Sequence, residues 1–422
     1  MRSSPTCNPS RSNRSVVPRT LLPLILAAFG LFAQTVAAQA PTNDDCLVCH
    51  SEPSVTRADG TSVAVQPDPF ATSVHGPMAC VDCHADLQKQ TDWPHPDRLA
   101  RVQCAQCHEE PVAKFNMSVH AQARRDRPGS LAATCVDCHG THDIRASTDS
   151  ASRTYQLTLP DTCGRCHGDP AIMRSEQIRG RDVMVQYRDS LHGKALTRSG
   201  LMVAPNCANC HRAHDIQARD VPTSSVHRSA VATTCGTCHQ GIQRQFEAGV
   251  HGQRLGEGSP TAPTCSDCHR PHGVEAADSQ AFRLSVVQEC GTCHADKALT
   301  YRDTFHGKVT SLGFERIATC ADCHNAHEIH PGSNPASAVA PANLVETCGQ
   351  CHEGASASFV KYDPHPNPND YDRSPPLWFV NTFYRWLIGS LAVFFGMHTL
   401  LWTVRSSRDR RRRPDGGQGA AS

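Results

Sequence analysis

Two cysteines separated by two residues, with a histidine directly after the second, occur eleven times in this 422-residue chain. In order they are Cys46-Cys49-His50, Cys80-Cys83-His84, Cys104-Cys107-His108, Cys135-Cys138-His139, Cys163-Cys166-His167 and Cys207-Cys210-His211. Cys235-Cys238-His239, Cys265-Cys268-His269, Cys290-Cys293-His294, Cys320-Cys323-His324 and Cys348-Cys351-His352 complete the set. This triad is the attachment signature of c-type haem. The two thiols add to the vinyl groups of a porphyrin, and the adjacent imidazole swings under the iron as proximal ligand. The motifs use 22 of the 23 cysteines, leaving Cys7. Zinc ribbons and redox dithiols also use paired cysteines, and exported chains use cysteine for disulfides. None of these requires histidine after the second cysteine each time, which composition alone would produce about once in 10¹³.

Iron held on one face by histidine takes a second ligand on the other, and the remaining histidines recur at two fixed places. One set follows the odd-numbered motifs: His75 in SVHG, His120 in SVHA, His192 in SLHG, His251 in GVHG and His306 in TFHG. Stretches leading to them, such as QGIQRQFEAGVHG, read as helices stopping at glycine, which predicts an imidazole on the last helical turn. The other set lies three residues beyond the proximal histidine of even-numbered motifs: His142, His214, His272 and His327. Such a histidine lies on the same side as its own proximal ligand, so a neighbouring haem is its expected target. His95 and His365 are the candidates for the terminal units, bringing the distal set to eleven. His227 and His330 are expected to be spare and solvated.

The elements that position these residues come from repetition. The first motifs of successive two-motif units begin at Cys46, Cys104, Cys163, Cys235 and Cys290, with a half-unit at Cys348. A repeat of this kind predicts a solenoid-like array of two-haem modules. Aromatic residues are 5% and apolar residues 39% of the chain, too few for an ordinary core of this length. The expected fold is therefore mainly α with extensive loops, elongated, organised around haem, with little β and one C-terminal transmembrane helix.

Residues 1–40 read as a signal peptide: a basic start, an apolar run from Leu21 to Phe32 and a small-residue cleavage site at Ala38-Gln39-Ala40. Residues 41–376 are the expected periplasmic haem domain, 377–404 the transmembrane helix and 405–422 a basic cytoplasmic tail. Leu387 to Val404 contains no Asp, Glu, Lys or Arg and would span about 27 Å as a helix, close to one bilayer core. Arg405, Arg408 and Arg410 to Arg413 follow, placing the tail in the cytoplasm by the positive-inside rule. That makes a single-pass protein of the cytoplasmic membrane. Residues 41–404 hold 31 basic and 38 acidic residues; this balance disfavours nucleic acid and favours partners with basic patches.

Iron closed on both faces by imidazole has no position for a substrate but can change oxidation state, so the chemistry is electron transfer rather than catalysis. The repeated CxxCH with SVHG and CHxxHDI elements resembles the multihaem c-type cytochromes of the doubled-CXXCH, cytochrome c3/c554-like group. The resemblance implies periplasmic respiratory electron transfer, beside a membrane cytochrome b or other quinol-linked subunit and with periplasmic redox proteins. Relatives with an N-terminal anchor resemble quinol dehydrogenases; this chain departs from them in anchoring at its C-terminus. His398, inside the apolar run, is a candidate to ligate a b-type haem shared with a partner or to bind a quinone. The alternative is a multihaem reductase with one open haem acting on a small nitrogen or sulfur oxyanion, with His84 and His352 marking the least securely ligated positions.

Overall fold

The computed structural model describes residues 40–57, 59–90, 92–180 and 182–412. The signal peptide expected over 1–40 lies outside these residues except for its last position, as does the end of the basic tail. The described chain is helical with many loops, and its sole β pairing is one isolated bridge between Thr56 and Ser62.

The two motif types sit on opposite ends of helices. Most odd-numbered motifs close a helix: Asn43–His50, Leu159–His167, Val231–Gly236, Gln280–Gly291 and Leu344–Gly349. The third motif starts on the 3₁₀ turn Cys104–Gln106. Even-numbered motifs open a short helix instead: Cys80–Cys83, Cys135–His139, Cys207–His211, Cys265–Cys268 and Cys320–His324. The cause lies inside the motif. Its second spacer residue accepts the backbone N–H of the residue before the first cysteine: Asp82 from Ala79 at 2.8 Å, Asp137 from Thr134 at 2.7 Å and Asn209 from Asn206 at 2.8 Å. Asp267 does so for Thr264 at 2.6 Å and Asp322 for Thr319 at 2.7 Å. This is the acidic half of a capping box, which satisfies an otherwise orphaned N-terminal donor.

The histidines that follow the odd-numbered motifs, here the helical set, do not end a helix, contrary to expectation: His75 lies in a turn after the helix Pro67–Ala71, and the other four open a new helix. The leading helix breaks at Ser118, Ser190, Gly249 or Thr304, and the histidine is the second residue of a new helix. These helices are Val119–Asp126, Leu191–Thr197, Val250–Gly256 and Phe305–Ser311. The capping hydroxyls of Ser118, Ser190 and Thr304 accept the N–H three residues on, at 3.2, 3.0 and 3.2 Å, and all three residues are buried. Where a glycine follows the histidine it is a packing requirement, although after His120 the buried Ala121 takes its place. A Cβ on Gly193, Gly252 or Gly307 would run into the carbonyl oxygen of Tyr187, Phe246 or Tyr301.

Successive modules are tied by a repeated backbone bond. The residue before a helical-set histidine donates its N–H to a carbonyl two residues past the next module's CHxxH histidine. The pairs are Val74 to Ile144 (2.9 Å), Val119 to Ile216 (2.8 Å), Leu191 to Val274 (2.7 Å) and Val250 to Ile329 (2.7 Å). Few apolar side chains are buried among the described residues, and Ala121, Ala204, Ala232, Ala262, Ala298 and Ala340 are prominent among them. Side chains this small do not make a core, so stability must come from what the loops enclose. The chain closes with the 38-residue helix Pro375–Arg412, the one described helix long and apolar enough to cross a membrane.

Candidate metal centres

Each of the eleven motif imidazoles faces one non-motif imidazole. Among the odd-numbered motifs, His108 faces His75 with ring centres 5.9 Å apart, His167 faces His120 (6.2 Å) and His239 faces His192 (6.1 Å). His294 faces His251 (6.1 Å) and His352 faces His306 (6.0 Å). Among the even-numbered motifs, His84 faces His142 (6.3 Å), His139 faces His214 (6.0 Å) and His211 faces His272 (6.0 Å). His269 faces His327 (6.1 Å) and His324 faces His365 (6.3 Å). The first motif's His50 faces His95 at 5.8 Å.

Bonds of about 2 Å from one metal to each of two imidazole nitrogens, plus about 1 Å from nitrogen to ring centre on each side, add to about 6 Å. The donor set therefore fits a metal held between two histidines, and the motif cysteines beside each pair fit a porphyrin held by thioethers. A zinc site needs more ligands on one point. Among the described residues no three of His, Cys, Asp or Glu converge in that way.

The pairing pattern is an exchange. A helical-set histidine of one module meets the odd motif of the next, while a CHxxH histidine of that next module meets the even motif of the one before. The first module has no predecessor to supply its odd motif, and His95, from its own loop, takes the place. At the far end His365 supplies the ring that a further CHxxH would have supplied to His324. The positions expected to be least secure, His84 and His352, face His142 and His306. The partners that come from outside the two repeated places, His95 and His365, belong instead to His50 and His324.

Several rings are fixed from behind, which sets a ligand's orientation and tautomer. The Nδ1–H of His50 donates to the Val63 carbonyl at 2.9 Å, that of His95 to Pro96 at 2.9 Å and that of His365 to Lys297 at 3.2 Å. His84 Nδ1 is buried with no hydrogen-bond partner, so this ring lacks such a support. Burial holds the imidazoles of His120, His139, His167, His211 and His269 below the usual histidine range. They are therefore neutral, the form that binds metal.

The cysteines follow the same order. Within each module the first cysteines of the two motifs lie in hydrogen-bonding contact: Cys46 with Cys80, Cys104 with Cys135, Cys163 with Cys207, Cys235 with Cys265 and Cys290 with Cys320. Burial, with Cys46 alongside, pushes the Cys80 thiol up to about 11. Between modules, the second cysteine of each even motif neighbours the next odd motif: Cys83 with Cys104 and Cys107, Cys138 with Cys166, Cys210 with Cys238, Cys268 with Cys290, and Cys323 with Cys348 and Cys351. The motifs thus form one unbroken series.

Of the two spare histidines, His227 bonds Ser229 at 2.7 Å. His330 bonds Glu328 at 3.2 Å and exposes only 11% of its side chain, so it is covered rather than solvated. His398 lies in the long helix. The in-motif caps Asp82, Asp137, Asn209, Asp267 and Asp322 lie beyond the cysteine and histidine pattern, and their signal in the sequence is an Asp or Asn directly before the second cysteine of every even motif.

A family model described as the doubled CXXCH motif matches residues 259–299. The chain is 25% identical over 246 residues to the multihaem cytochrome MtrA of Shewanella baltica, covering 56% of this chain and 65% of that protein. It is 22% identical over 343 residues to the high-molecular-weight cytochrome c of Nitratidesulfovibrio vulgaris, covering 73% and 55%. It is 27% identical over 109 residues to the cytochrome c-type protein NrfB of Escherichia coli, covering 25% and 55%. The chain thus spans less than two thirds of the length of each of these relatives. No solved structure matches it.

Proposed function

We propose that this multihaem c-type cytochrome carries electrons and holds eleven haems, each between one motif imidazole and one distal imidazole. We place it as a single-pass protein of the cytoplasmic membrane, with the array in the periplasm, between a quinol-linked membrane partner and soluble acceptors. The observation that carries this is the one-to-one pairing of all eleven motif imidazoles with eleven other imidazoles at 5.8–6.3 Å. When bound, haem supplies a reversible one-electron couple.

The chain's own residues do the rest. The two facing imidazoles of each site would hold the iron between them and would leave no room for a substrate or water. The adjoining cysteines place successive sites next to one another in an unbroken order. Arginines from Arg405 onward hold the tail on the cytoplasmic side. In the first module, residues 41–103, nine carboxylates stand against four basic side chains, and all nine are exposed. A soluble acceptor with a basic patch suits that end. His398, in the apolar run, is assigned to the quinol-linked partner, as ligand to a shared b-type haem or as hydrogen-bond donor to a quinone.

Counting haem per chain and assigning spin state in the ferric protein tests the reading. Eleven low-spin haems that do not take up carbon monoxide are expected. A high-spin haem that binds nitrite, hydroxylamine or a sulfur oxyanion would point to a reductase instead, and free thiols at the motifs would end both. His398→Ala is expected to slow quinol-dependent reduction; an unchanged rate and spectrum would remove that assignment.

A further inference from the structure

His365 is carried by a segment that is fastened to the membrane helix, the only distal histidine for which the described contacts give such a tie. Its backbone N–H donates to Asp363 Oδ1 at 2.8 Å. Asp363 in turn receives a two-pronged bond from Arg373, Nε to Oδ2 at 3.0 Å and Nη2 to Oδ1 at 3.2 Å. This fork matches the planar carboxylate and fixes geometry as well as charge. From the helix, Asn381 Nδ2 donates to the Pro368 carbonyl at 3.1 Å and to Asn369 Oδ1 at 3.3 Å. Tyr371 packs edge-on against Trp378 with ring centres 5.4 Å apart. The loop is thus closed on itself at one end and pinned to the helix at the other.

The pin lies close to the bilayer. Asn381 precedes the start of the charge-free run at Leu387 by six residues, about 9 Å along a helix. The polar headgroup layer on each side is about 5–8 Å thick, so Asn381 stands at its outer edge. On the other side of the loop, the His365 Nδ1–H bond to Lys297 leaves Nε2 unprotonated, as a ligand nitrogen must be.

We propose that the site of His324 and His365, rather than that of the last motif at His352, is the port through which the array exchanges electrons with the membrane. Asp363, Arg373 and Asn381 are positioning residues that hold His365 at a fixed height above the bilayer. The inference rests on the two-histidine reading given above. The reductant is a quinol oxidised on the membrane side: each molecule gives up two electrons and two protons as it becomes quinone. The electrons cross the port one at a time and the protons pass to the periplasmic water.

Native membranes carrying the full-length chain, with duroquinol as the added reductant, supply the test. His365→Ala is expected to convert one of eleven low-spin ferric signals to high-spin and to slow duroquinol-driven reduction tenfold or more. If no low-spin signal is lost, the ligand pairing itself fails. If one is lost and the rate holds, the pairing stands and the port is overturned. Should His365→Ala fail to accumulate, Asn381→Ala keeps the question open to decision. It is expected to retain all eleven haems, shift the g-values of one signal and slow reduction at least threefold, with recovery in Asn381→Gln. An Asn381→Ala chain with wild-type signals and rate would overturn the proposal.

Discussion

In the middle of the array, the ring facing His139 comes from His214 in the following module; at its start, the ring facing His50 comes from His95 in the same module. The interior arrangement makes neighbours mutually obligatory. A module there completes its own sites only by taking one imidazole from each side and giving one to each side. The first module keeps one pair to itself, and the last full module needs His365, from a loop outside the repeat, to face its His324. An array built by exchange therefore requires dedicated residues at both ends, and those residues are free to be held differently: His95 beside an exposed Trp93, His365 on a loop bonded to the long C-terminal helix.

The contrast is sharpest when one ring is removed at each place. On the proposed pairing, His214→Ala takes away a tie between modules as well as a ligand, and loss of metal anchorage belongs among the large destabilising mechanisms. We expect a cost on the order of 3 kcal/mol or more, seen as a lower melting temperature in both the Soret band and far-ultraviolet circular dichroism. His95→Ala opens one site without cutting a joint, and its expected cost is about 1 kcal/mol. Equal losses would mean that the interior exchange contributes nothing to cohesion.

Much of this architecture was legible beforehand because it is written in residue types at fixed spacings. CxxCH, SVHG and CHxxH mark every motif and every interior distal ring, and the five close cysteine contacts follow the two-motif units read from the sequence. What spacing did not carry was direction. CHxxH excludes its own haem as target but says nothing of whether the ring reaches forward or back, which depends on how one module docks on another. Helix polarity is hidden from spacing for a related reason. In SLHG and TFHG the glycine is needed for the approach of a preceding carbonyl, and the capping Ser190 and Thr304 mark a start where glycine suggested a stop.

A smaller effect isolates the backbone tie. Val250 is the first residue of its helix, where proline is tolerated because the N–H has no intrahelical partner. Gly249 before it is extended (φ −76°, ψ 162°), a conformation compatible with a following proline. Val250→Pro would delete the bond to Ile329 and also press the ring Cδ against that carbonyl oxygen, 2.7 Å from the nitrogen, costing about 2 kcal/mol. Phe305 opens the equivalent helix in the last full module, and no described bond joins its N–H to a following one. Phe305→Pro is expected within about 0.5 kcal/mol of wild type. Chemical denaturation of the two variants checks the difference; matching losses would show that the strap bond is not what proline removes.

The least effect belongs to a carboxylate latch present in the interior. Glu176, in the third module, receives Arg127 Nη2 at 2.7 Å, Ser130 Oγ at 2.8 Å and the Leu131 N–H at 2.7 Å, all from the second. The Leu131 N–H first, then Ser130 and the Arg127 guanidinium, hold its carboxyl below the usual carboxylate range. Since the folded chain favours the ionised form, the latch contributes fully above the unfolded value of about 4.3 and is lost as pH falls through the lower folded one. Glu176→Gln should therefore melt below wild type at neutral pH, with the gap closing as pH drops below about 4. A gap that stays constant across that range would show that the glutamate acts there by shape alone and that charge plays no part in joining the second module to the third.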